Sequence, residues 1–204
     1  MAVTRTRTRD PDRKQRILAS AAALCALRGF HAISMADIGS DAGIVGSGIY
    51  RHFGSKTSIL VAMLDQVMTR LADRAAEIIA VGGSPGQTLA ELVKDHIVVA
   101  IEDRDVLAVY HMEAHNLPED DLRRLRRSQR HYLEDWVHLL APLRPDVADA
   151  ELRLAVHAAI GAIQSTLFFR SGLGDARLAE LLQVIAHSCL GIAPPGRPAE
   201  GPGG

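Results

Sequence analysis

Cysteine is scarce in this sequence. Cys25 and Cys189 are the only two in 204 residues, and their wide separation argues against a disulfide framework and fits a reducing compartment. Long apolar runs are missing too. No segment approaches roughly 18 uninterrupted apolar residues, and no basic start leads into a short apolar stretch, so the expectation is a cytoplasmic protein that is neither exported nor anchored to a membrane. Alternating apolar and polar positions of useful length do not occur, which excludes a sheet-based core. Enzymatic signals are equally thin. There is no glycine-rich phosphate loop after a strand and no recognisable pairing of nucleophile and base, and the nine histidines are scattered. His111 and His115 sit one helical turn apart, but two ligands without a third do not make a metal site. No enzyme, metal or cofactor is expected.

What is present is helical and asymmetrically charged. The chain is 48% hydrophobic and 23% charged, enough for a globular core in one or two modest domains. A net charge of −1 conceals a division near Ser58. Residues 1–58 hold nine Lys or Arg against four acids, a net of +5, while the remainder holds 14 against 20, a net of −6. A basic block joined to an acidic body is the layout of a nucleic-acid module attached to a part with another task.

Taken in order, residues 1–10 alternate arginine with small residues and read as a mobile basic arm suited to phosphate or minor-groove contacts. Asp10-Pro11 then starts a first helix with Ile17, Ala21 and Leu24 on one face, ended by Gly29. Ser34-Met-Ala-Asp37 resembles a capping box and opens a short second helix that Gly43 ends. Ile44, Ile49 and Phe53 mark a third short helix packed on the first two, which makes a helix-turn-helix over residues 11–57. Ser55 caps a long fourth helix, about 55–80, which runs into Gly82-Gly83-Ser84-Pro85-Gly86. Five further apolar stripes follow within residues 58–192: Leu89–Ala100, Val106–Leu117, Glu119–Leu143, Leu152–Leu167 and Leu178–Cys189. The expectation is an all-α fold of about nine helices, an N-terminal helix-turn-helix and a C-terminal bundle, with a disordered proline- and glycine-rich tail at 193–204.

Arg16-Ile17-Leu18, Ala21-Ala22, Gly29-Phe30, Asp37-Ile38, Ala42-Gly43-Ile44, Ile49-Tyr50, His52-Phe53 and Ser55-Lys56 together resemble the N-terminal domain of TetR-family transcriptional regulators. The likeness covers about residues 13–64; beyond it the chain is similar only as a helical body of fitting length. It implies a bacterial repressor that binds double-stranded operator DNA as a homodimer and carries a ligand-binding bundle. The apolar stripes and small residues of the last two helices suit a dimer interface, or an intramolecular core.

Within the head, Tyr50 stands where the family places a hydroxyl against phosphate. Lys56, in the first turn of the fourth helix, is placed to meet another phosphate. Ser34 serves as a helix cap or as a phosphate contact, and Arg51 reaches backbone or a guanine edge; His52 and Phe53 are read as packing residues. The chain departs from the family pattern at Val45-Gly46-Ser47-Gly48, where a basic residue is usual. Two glycines cost a short helix about 1 kcal/mol each relative to alanine. They either permit close backbone approach, so that Ser47 and the Val45 methyls meet base edges, or leave a loose recognition helix.

In the body, His96, Tyr110 and Glu113 are polar residues on apolar stripes and mark a candidate pocket, with Trp136 and Phe168 or Phe169 as walls; a satisfied core is the competing reading. Tyr110–Ala114 and the arginine-rich stretch before Trp136 are similar to regulators of lipid and sterol-derived acyl-CoA breakdown. Arg123, Arg127 and Arg130 share one face and fit either the phosphates of a CoA thioester or a solvated surface. The reading reached is a ligand-responsive repressor released from a palindromic operator by a small hydrophobic or acyl-CoA-type effector, with the fourth helix as transmitter. The alternative is a helical dimeric interaction protein with weak or nonspecific DNA binding and no small-molecule effector.

Overall fold

Side chains that close their own helix ends set most of the boundaries in the computed structural model, which describes residues 12–44 and 46–193. Helix α1 (Asp12–Arg28) stops where Gly29 turns into the left-handed region at φ +80°. Helix α2 (Met35–Asp41) starts on the expected capping box, with Asp37 N donating to Ser34 Oγ at 3.1 Å and Ser34 N to Asp37 Oδ2 at 2.7 Å. A 3-10 segment, Gly46–Arg51, follows. The long α3 (Lys56–Val81) opens on a second box between Ser55 and Ser58, and α4 (Pro85–Glu102) on a third between Ser84 and Gln87, with proline in its first turn. Four helices complete the bundle: α5 (Arg104–Glu113), α6 (Glu119–Leu140), α7 (Asp149–Gln164) and α8 (Asp175–Leu190). Short 3-10 turns at Ala114–Asn116, Ala141–Leu143 and Ser165–Leu167 extend α5, α6 and α7.

The eight α-helices and the 46–51 segment account for the nine helical segments expected, and no strand occurs among the described residues. The arm at 1–10 and, apart from Ala193, the tail at 193–204 lie outside the described residues, as does Val45.

One continuous core results, running from the head into the body. In the head, Ile17, Leu18, Ala21 and Ala22 of α1 close on Ile38, Ile49, Phe53 and Ile59, all buried. In the body, α4 lies among α3, α6, α7 and α8 around fully buried Trp136, Leu92, Ile97 and Ile163, while α7 packs most extensively on α8. Helices α1 and α3 touch each other, and both touch α5, so α5 belongs to the junction of head and body. Ion pairs brace that frame from outside. Arg70 of α3 holds Glu102 at 2.5 Å and Asp103 at 2.6 Å, and Arg124 of α6 holds Asp65 at 2.5 Å and Asp121 at 2.7 Å. Largely solvated, such pairs contribute about 0–1 kcal/mol each and fix orientation more than stability.

Candidate functional site

The head places a narrow edge in solvent. After α2, Gly43 at φ +68° and the bond from Ile44 N to Gly39 O (2.7 Å) turn the chain sharply. The third helix of the motif is not the expected α-helix but a 3-10 segment. Gly46 sits at φ +60°, outside either right-handed helix, so it marks the turn into the segment, and two glycines give the α form little intrinsic support. Because a 3-10 helix repeats every three residues, Ser47 and Tyr50 share one edge, Gly48 and Arg51 the next, and Ile49 alone turns into the core. Ser47, Tyr50 (59% exposed) and Arg51 are open to solvent. Gly48 has an intramolecular reason to be glycine: an added Cβ would lie 2.8 Å from Ile44 Cγ2. Neither glycine therefore needs DNA to explain it, and Val45 falls outside the described residues.

Two expected phosphate contacts are otherwise engaged. Ser34 gives its only hydroxyl hydrogen to Asp37 Oδ2 at 2.5 Å, so it is a cap with nothing left to donate to a phosphate. That bond and the Ser34 backbone N–H hold the Asp37 carboxyl below its usual range. Lys56 turns inward. Its Nζ donates to the carbonyls of Phe30 (2.5 Å) and Ile33 (2.7 Å) and stands 4.5 Å from the Phe30 ring centroid, a cation-π contact that leaves the ammonium holding the head together.

The candidate pocket residues of the body separate into three groups. His96 and Trp136 are buried together at the centre of the bundle, His96 edge-on to the indole with centroids 5.8 Å apart. Gln164 Nε2 donates to His96 Nε2 at 3.5 Å, which leaves the ring hydrogen on Nδ1, facing the Tyr132 hydroxyl at 3.0 Å. Burial drives the His96 pKa down to about 4 and pushes Tyr132 well above its ordinary value, so both are neutral. Trp136 is 0% exposed and lies edge-on to the Tyr132 ring, with centroids 6.1 Å apart.

A second group surrounds this centre. The half-buried Tyr110 donates to Gln129 Oε1 at 3.0 Å, burial raising its pKa. His111 donates to Gln164 Oε1 at 3.1 Å and meets Phe168 edge-to-face at 5.6 Å. Phe168 is no pocket wall in this structure, being 61% exposed, and Arg130 is exposed on α6. Tyr132, His96, Gln164 and His111 thus make one polar chain from the core to the surface. Gln164, which interrupts the stripe Val156–Ile163–Leu167, is a polar residue that the stripe reading passed over.

Glu113 forms the third group by itself and corrects the pocket assignment. Its Oε1 accepts from Phe30 N at 3.2 Å and its Oε2 from Asn116 Nδ2 at 2.7 Å, so this buried carboxylate ties the body to the head. Among the described residues no group of three or more His, Cys, Asp or Glu is placed to hold a metal ion, and no helix is long and apolar enough to cross a membrane.

Comparison with known proteins agrees with this division. The sequence model for bacterial regulatory proteins of the tetR family matches residues 17–63, and that for the tetracyclin repressor-like C-terminal domain matches residues 82–168. The HTH-type transcriptional repressor KstR2 of Mycolicibacterium smegmatis is 30% identical over 152 residues, 72% of this chain and 71% of the relative. KstR2 of Rhodococcus jostii is 30% identical over 129 residues, and the match spans 63% of this chain and 63% of that relative, just under two thirds. Among solved structures, a TetR-family regulator from Bordetella parapertussis superposes with a TM-score of 0.75 at 26% identity, covering 84% of this chain and 93% of its own. AibR in complex with isovaleryl coenzyme A and operator DNA gives 0.71 at 16% identity, covering 85% and 97%. Matched over both head and body, the chain belongs to the TetR family of bacterial regulatory proteins, transcriptional regulators rather than enzymes.

Proposed function

We propose that this regulator is a repressor that binds a palindromic operator as a homodimer and leaves it when a small apolar or acyl-CoA-type effector enters the body. The observation that carries the DNA reading is the exposure of Ser47, Tyr50 and Arg51 on two adjoining edges of one short segment, held outward by its single buried anchor Ile49 on a block with a net charge of +5. Tyr50 and Arg51 supply phosphate contacts, while Ser47 is the short polar group nearest the base edges. Lys56 and Ser34 support that segment from behind.

One head binds weakly, and a two-fold dimer spaces two of them about 34–36 Å apart on successive half-sites. Its interface is the face on which Leu154, Ala158 and Gly161 of α7 are exposed beside Val184 and Ile185 of α8. The two small residues let a second copy of these helices approach closely. The effector site is the buried centre around Trp136, with neutral His96 and the amide of Gln164 beside it as its polar groups. The KstR2 relatives are named repressors, and AibR was solved with isovaleryl coenzyme A; Arg127 and Arg130, exposed on α6, fit the phosphates of such a thioester. Two-state coupling of about 1–3 kcal/mol is enough to release DNA.

Genomic fragments retained by the purified protein identify the operator. Binding that is sequence-dependent and weakens with salt, and that is lost on adding one chain length of an acyl-CoA series, is the expected result. Retention independent of sequence returns the chain to a helical interaction protein, and indifference to every acyl-CoA removes that effector class.

A further inference from the structure

The loop between α1 and α2 is held from two sides. Gly29 ends α1, and Phe30, its side chain buried, offers one peptide group to each neighbour. Towards the body, the Phe30 N–H is taken by Glu113, the last residue of α5. The Asn116 amide braces that carboxylate, and its own Oδ1 receives His31 Nε2 at 3.1 Å. Towards the recognition edge, the Phe30 carbonyl is taken by Lys56, the first residue of α3 and five positions after Arg51. Glu113 and Lys56 both act on the buried Cys25 thiol, whose pKa burial and Glu113 push up to about 11 while Lys56 opposes. An acid of the body and a base of the head thus flank one short piece of backbone.

The other end of the connection lies in the core. Arg104, the first residue of α5, donates to the carbonyls of Leu167 (3.2 Å) and Phe169 (2.9 Å) beyond α7. His111, two residues before Glu113, is bonded to Gln164, which also touches His96. Helix α5 is therefore fastened to the polar chain of the bundle and to the head by residues less than one turn apart.

We infer that Glu113 is the positioning residue through which α5, alongside α3, sets the recognition edge: a displacement of Gln164 in the core reaches His111, then Glu113, the Phe30 backbone and Lys56. The consequence for operator binding rests on the DNA-binding reading above; the mechanical link does not. Glu113 touches no DNA, and its charge is placed where an apolar side chain would satisfy packing but would leave the Phe30 N–H without a partner.

Backbone hydrogen exchange in the full-length protein, free of DNA, tests the link directly. Glu113→Ala should accelerate exchange of the Phe30 amide by about 10- to 100-fold, the loss of a charge-assisted hydrogen bond, while amides of α4 and α7 keep their rates. Glu113→Gln, which retains an acceptor, should restore most of the protection. Gln164→Ala, which does not touch the loop, should also accelerate exchange there. Unchanged exchange at Phe30 in the alanine variants, or equal acceleration throughout the bundle, overturns the inference. Operator affinity is read in parallel: if the wild-type protein binds a specific operator, Glu113→Ala should weaken binding about tenfold and Glu113→Gln much less, and equal affinity overturns the functional role. If the wild-type protein binds no specific DNA, the repressor reading fails and the exchange experiment still decides the link.

Discussion

Lowering the pH from 7 to 5 should destabilise this protein through one buried imidazole, and replacing His96 should remove that part of the sensitivity. Folded, His96 has its pKa depressed by burial from the ordinary 6.5 to about 4, and a second proton would have to sit on Nε2, against the Gln164 amide N–H. Unfolded, the ring takes up its proton near pH 6.5. Between those two values the unfolded chain therefore binds more protons than the folded one, and stability falls as pH falls. Each pH unit in that window costs about 1.4 kcal/mol, so the loss from this residue is about 2 kcal/mol at pH 5 and about 3 kcal/mol at pH 4. Urea unfolding of the wild-type protein and of His96→Gln at pH 7, 6 and 5 isolates the residue, because carboxylates shared by both proteins cancel in the difference. The stability gap between them should shift by about 2 kcal/mol in favour of the variant on going from pH 7 to 5. Parallel stability profiles would refute the claim that His96 is held neutral by burial.

Three further outcomes follow from the geometry. Gly48→Ala should lower operator affinity with little change in global stability, because its Cβ would press within 2.8 Å of Ile44 Cγ2 and shift the segment that carries Ser47, Tyr50 and Arg51; equal or tighter specific binding in a gel-shift titration would contradict this. Arg51→Ala should reduce the slope of log affinity against log salt by about 0.9 for each head, about 1.8 for the proposed dimer, whereas Lys56→Met should leave that slope unchanged and lower the thermal midpoint, since its ammonium is bonded to the carbonyls of Phe30 and Ile33. The proposed homodimer should sediment as a dimer in analytical ultracentrifugation, and Leu154→Glu combined with Ile185→Asp should make it a monomer without loss of helical circular dichroism, both side chains being exposed in the single chain; a wild-type monomer would contradict the interface.

The helices were legible because their signals are local. Ser34 with Asp37, Ser55, and Ser84 before Pro85 close their own first turns, and the stripes through Leu60–Leu71 and Leu89–Ala100 repeat at the helical period. The exposed trio Ser47, Tyr50 and Arg51 followed from spacing and family likeness together. What spacing could not supply was direction. Lys56 reads as a free ammonium at a helix start until the loop 23–26 residues earlier folds beneath it. Glu113 reads as a pocket residue because nothing nearby in sequence announces its partner, which lies 83 positions away. Glycine content pointed to a helix of little intrinsic stability, but neither its 3-10 form nor the left-handed turn at Gly46 that opens it can be read from composition.

That 3-10 form also sets a length scale. At about 2.0 Å of rise per residue, positions three apart lie about 6 Å from each other along the axis, compared with about 4.5 Å in an α-helix. Neighbouring bases along one strand are about 3.4 Å apart, so Ser47 and Tyr50 on their common edge are separated by nearly two base steps. A single further turn would carry the segment past its own end at Arg51. If the proposed dimer lays these edges in the groove, each head has a short footprint there, and the distance and phase between two half-sites would add to what so few positions can discriminate.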